Sequence, residues 1–63
     1  KNMTNEELKQ KIKESNLYQW QVANAVGVSE MTLIRWFRSP ITKEHAERVN
    51  VAIETLKAGD LSE

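Results

Sequence analysis

Few residue types in this chain are suited to bond-making chemistry. It has no cysteine, so thiolate nucleophiles, disulfides and thiolate metal sites are excluded. The one histidine, His45, has Glu44 and Glu47 close by in sequence. No second ligand stands at metal spacing, and there is no nucleophile with its base and no phosphate-cradling glycine loop. The expectation is a non-enzyme with no cofactor, no metal and no small-molecule substrate. The remaining candidates are cationic and apolar. Between Glu30 and Arg38 a helical wheel puts Leu33, Trp36 and Phe37 on one face. Met31, Arg35 and Arg38 fall on the opposite face, flanked by Ile34 and Thr32. That second face looks outward and suits recognition rather than reaction.

The elements that would position this face lie just upstream. Gln19 begins a short amphipathic segment with Val22, Ala23 and Val26 inward. Gly27 stops it, and Ser29 is a good N-cap for the segment that follows. Two helices joined this tightly around a glycine are a known way for a compact domain to offer one helix to the DNA major groove.

The flanking sequence supplies the support. Thr4-Asn5-Glu6-Glu7 reads as a capping box opening a helix with Leu8 and Ile12 on one face and Lys9, Lys11 and Lys13 on its wet side. Ser15-Asn16 ends that helix, because Asn tolerates the left-handed backbone. Pro40 marks a loop. Thr42 caps a last helix with Ala46, Val49, Ile53 and Leu56 at spacings of three and four, and Gly59 is expected to close it. The spacing predicts an all-α, compact four-helix domain containing a helix-turn-helix. The helices span about 5–15, 19–26, 30–38 and 43–57 of a single domain covering 1–63, and the ends 1–3 and 60–63 are expected to be flexible. Trp36 and Phe37 belong to the core in this reading, Trp20 is half-buried, and His45 is a surface residue.

Size and charge limit the partners. A domain of 63 residues and 7.3 kDa without disulfides must rely on efficient helix packing. Nine basic and nine acidic residues balance, which argues against a strong nonspecific polyelectrolyte binder. The distribution is less even: six basic against four acidic residues lie between Lys1 and Arg38, and three against five between Ser39 and Glu63. No apolar run approaches the ~20 residues of a membrane span and no signal peptide is seen, so a cytoplasmic location is expected.

The run Val22-Ala23, Val26-Gly27-Val28-Ser29, Thr32-Leu33, Arg35-Trp36 resembles the helix-turn-helix of phage repressors and Cro-type regulators, the Xre-like family. Ala23 is small where the two helices cross, Gly27 supplies the turn, and Val22, Val26, Val28, Leu33 and Trp36 fill the wedge. The resemblance implies base contacts from Ser29, Glu30, Met31, Ile34 and Arg35, with backbone contacts from Gln19, Arg38 and Lys43. Arg35 would bond bidentately to guanine, Glu30 would accept from a cytosine amine, and Met31 and Ile34 would meet thymine methyls. It also implies double-stranded DNA as partner and transcription regulation in a phage or mobile element. The helix that often carries dimerisation in that family has no counterpart here, so a homodimer does not follow from the resemblance. The rival reading keeps the scaffold but gives the Met31 and Ile34 surface a protein partner instead of DNA. A purely structural helical module would leave that face unexplained.

Overall fold

The computed structural model describes residues 3–61; the expected flexibility of 1–2 and 62–63 lies outside these. Four helices follow in order: α1 Asn5–Glu14, α2 Gln19–Val26, α3 Glu30–Trp36 and α4 Lys43–Leu61. The domain is all-α, and α4 is the spine against which α1 and α2 lie, while α3 rests chiefly on α2.

Local chemistry sets most of the helix ends. The Thr4 hydroxyl accepts from the Glu7 N–H, and the Glu7 carboxylate accepts from the Thr4 N–H at 2.9 Å, which satisfies two otherwise unpaired donors. At the other end of α1, Asn16 takes φ 59°. The Asn16 N–H then donates to the Lys13 carbonyl and the Leu17 N–H to that of Ile12, a closure that turns Leu17 back onto the core. Gly27 does the equivalent for α2 at φ 99°, with the Ala23 carbonyl accepting from both Gly27 and Val28. A Cβ built on Gly27 would meet nothing within 4 Å, so the backbone angle and not lack of space calls for glycine.

Two expected boundaries are corrected. The third helix ends at Trp36 rather than at 38: the Phe37 and Arg38 amides donate to carbonyls three residues back, tightening the chain into a turn. The Asn5 side chain holds that turn. Its Nδ2 donates to the carbonyls of Phe37 (3.1 Å) and Ser39 (2.9 Å), and its Oδ1 accepts from the Ile41 N–H at 2.8 Å. The fourth helix is not closed by Gly59 but runs on to Leu61. Gly59 lacks the positive φ of a terminating glycine, and an exposed helical glycine costs only about 1 kcal/mol relative to alanine.

All four helices feed one core. Leu8 and Ile12 come from α1, Val22 and Ala23 from α2, Leu33 from α3, and Ala46, Val49, Ala52 and Ile53 from α4, with Phe37 closing the end. Leu8, Leu33, Ile53, Val22 and Val49 are fully enclosed. No helix of the described residues is long and apolar enough to cross a membrane.

Candidate nucleic-acid interface

The packing and presenting residues of α3 separate cleanly. Leu33 is fully buried and Phe37 nearly so, which fixes the inner side of the helix. On the outer side Met31 is 63 % exposed, Glu30 and Arg35 are exposed, and Ile34 is half-buried. Ser29 serves the helix first: its hydroxyl accepts from the Thr32 N–H at 3.1 Å and lies 2.9 Å from the Thr32 hydroxyl. Glu30 sits in the first turn, where a carboxylate also complements the helix dipole.

Five of the expected contact residues therefore share one short helix and its cap. Arg38 is exposed in the turn after α3, in the segment clamped by Asn5. Gln19 opens α2 half-buried and Lys43 opens α4 exposed. No hydrogen bond or ion pair among the described residues ties either of them to α3.

The cations differ in what engages them. Arg35, Arg38 and Lys43 make no ion pair with any described residue. Lys9, by contrast, lies over the Phe37 ring at 5.7 Å, and Arg48 lies over the Trp36 indole at the same distance. Lys11 donates to Asn50 Oδ1 and pairs with the Glu54 carboxylate. Through that hydrogen bond and its charge, with Lys57 adding to it, Lys11 holds the Glu54 carboxyl below its ordinary value. Of the three lysines expected on the wet face of α1, Lys9 and Lys13 are exposed as expected, and Lys11 alone is half-buried, because α4 comes close enough to engage it.

Three aromatic placements also differ from expectation. Trp20 is not half-buried but 55 % exposed, and its ring lies within 9° of parallel to that of exposed Tyr18, with centroids 6.4 Å apart. The signal was present in the sequence, since Trp20 and Asn24 share a face turned away from Val22 and Val26. Trp36 is half-buried rather than core, and its ring is covered by His45, which is itself half-buried. Nothing in local periodicity marks that pairing.

No protein-family model, curated protein or solved structure matches this chain.

Proposed function

We propose that this domain binds double-stranded DNA selectively, with α3 in the major groove, as a small phage or mobile-element transcriptional regulator of the Xre-like, Cro-like kind. The observation that carries the reading is the outward side of α3 and its turn. Two guanidiniums with no ion pair among the described residues follow a largely exposed methionine there, in a chain of zero net charge. An α-helix with its side chains is about 10–12 Å across, which suits a groove about 12 Å wide, and the seven residues of α3 give it about two turns to lay there.

In this reading Arg35 bonds bidentately to guanine, Met31 and Ile34 meet thymine methyls, and Glu30 and Ser29 read neighbouring base edges. Gln19, Arg38 and Lys43 hold the phosphate backbone, which sets register without carrying sequence information. Only two of the backbone-holding residues, Arg38 and Lys43, are cationic, so the slope of log affinity against log salt should be shallow, about −2. Strong binding then calls for two copies on adjacent half-sites or a protein partner.

Fluorescence anisotropy against duplexes selected from a randomised pool tests the proposal. A preferred sequence whose advantage disappears in Arg35→Ala supports it; equal binding to all duplexes at low salt rejects it. The protein-partner reading draws on Met31, whose exposed thioether adjoins Ile34 at the middle of the same face. A nuclease-resistant complex with a protein, abolished by Met31→Glu with Ile34→Glu while duplex binding is absent, would replace the first reading with the second.

A further inference from the structure

The last residue of α3 is stacked on the only histidine. The Trp36 and His45 rings lie 7° from parallel with centroids 3.8 Å apart, and the Arg48 guanidinium carbon stands 5.7 Å from the centre of the same indole. His45 is fixed independently in the first turn of α4, where its N–H donates to the Thr42 hydroxyl at 3.2 Å. The backbone of α3 packs chiefly against α2, whereas α4 packs against α1 and α2. The stack is therefore a side-chain link between the spine of the domain and the outer end of α3.

We infer that His45 is a positioning residue that limits the rotation of α3 about its own axis left over by the burial of Leu33 and Phe37; this rests on α3 being the helix that reads DNA. Two flat rings in face contact resist both tilt and rotation of the element carrying either one, which a small side chain at position 45 does not. The leverage is large. Side-chain tips lie about 5–6 Å from a helix axis, so a rotation of about 20° carries the Arg35 guanidinium through about 2 Å. Bidentate recognition tolerates a displacement of about 0.5 Å. Arg35 directly precedes Trp36, so any rotation allowed at one is delivered to the other. The restraint comes from the planar ring and not from an imidazole proton, so a phenyl ring at position 45 does the same work.

The test compares wild type, His45→Ala and His45→Phe on a duplex selected by the wild-type chain and on its scrambled counterpart. Amide hydrogen exchange of each protein is followed without DNA. In His45→Ala the preference for the selected duplex falls about tenfold, the size of one lost base contact, while affinity for the scrambled duplex and the salt slope hold. His45→Phe restores the preference. Without DNA, His45→Ala speeds exchange in α3 and leaves α1 unchanged. Full preference retained in His45→Ala, or exchange accelerated equally in all four helices, overturns the inference. If the wild-type chain selects no duplex, the DNA reading of α3 fails, and exchange alone decides whether the stack positions the helix: an α3-selective increase supports it, and an equal or absent increase rejects it.

Discussion

Lys11 and Arg35 are both cations on short amphipathic helices, and the fold uses them in opposite ways. Lys11 reaches across from α1 to Asn50 and Glu54 on α4 and is only 24 % exposed. Arg35 projects from α3 with no acidic partner among the described residues. Lys9 and Arg48 stand between these extremes, exposed but lying over the Phe37 and Trp36 rings, while Arg38 and Lys43 are exposed with no ion pair to any described residue. A cation's availability for a partner is thus set by what α4 and the aromatic residues leave unclaimed. Counting charges hides this, because net neutrality here conceals a small set of uncompensated guanidiniums next to one exposed methionine.

The comparison can be broken most severely at the core that both faces share. Leu33→Ala should cost about 2–5 kcal/mol, since Leu33 is fully enclosed and the void cannot fully collapse. A domain of 63 residues has only about 3–9 kcal/mol to lose. Urea denaturation should show a strongly lowered midpoint, with structural and presenting residues lost together in one transition.

A smaller effect belongs to Asn5. Asn5→Ala removes three hydrogen bonds that tie the turn containing Arg38 to the start of α1. A loss of about 1–3 kcal/mol is expected, and exchange of the Ile41 amide should quicken well before that of the buried α4 amides. An unchanged midpoint would mean that the turn holds itself.

The sharpest contrast pairs Lys11→Met with Arg38→Ala. The first should shift the thermal midpoint slightly, by no more than about 1 kcal/mol in stability, and leave duplex binding alone. The second should leave stability within about 0.5 kcal/mol and flatten the salt slope by about 0.9. If both variants changed the same observable, the division between engaged and available cations would be wrong.

The smallest effect is in the acid limb. Lys11 lowers the Glu54 carboxyl below its ordinary value, so the contribution of this pair is fully present above the ordinary carboxylate range. It is lost as the pH falls through the lowered value. Denaturation midpoints of wild type and Lys11→Met should accordingly converge on acidification through that window.

Much of the fold could be read one residue at a time. The Thr4–Glu7 box, the left-handed Asn16 and Gly27 and the Ser29 cap all act over at most five residues, and spacings of three and four marked the buried sides of α1, α2 and α4. The presenting face of α3 was legible for the same reason, since its outward side follows from where Leu33 and Phe37 point inward. Three features were not. Asn5 bonds to groups 32–36 residues away, Lys11 to one 39 away, and His45 covers an indole from another helix. No local pattern requires any of these.

Sequence alone settled what depends on backbone geometry within a turn or two: four helices, their starts, the glycine turn and the inward stripes. Caps and periodicity are short-range, so they act before the chain meets itself. Which lysine is consumed, which guanidiniums stay free, and which ring steadies the outer end of α3 were decided only when α4 came against α1 and α2. Those outcomes depend on side chains reaching across the core, where a few ångströms of approach separate an ion pair from a solvated charge.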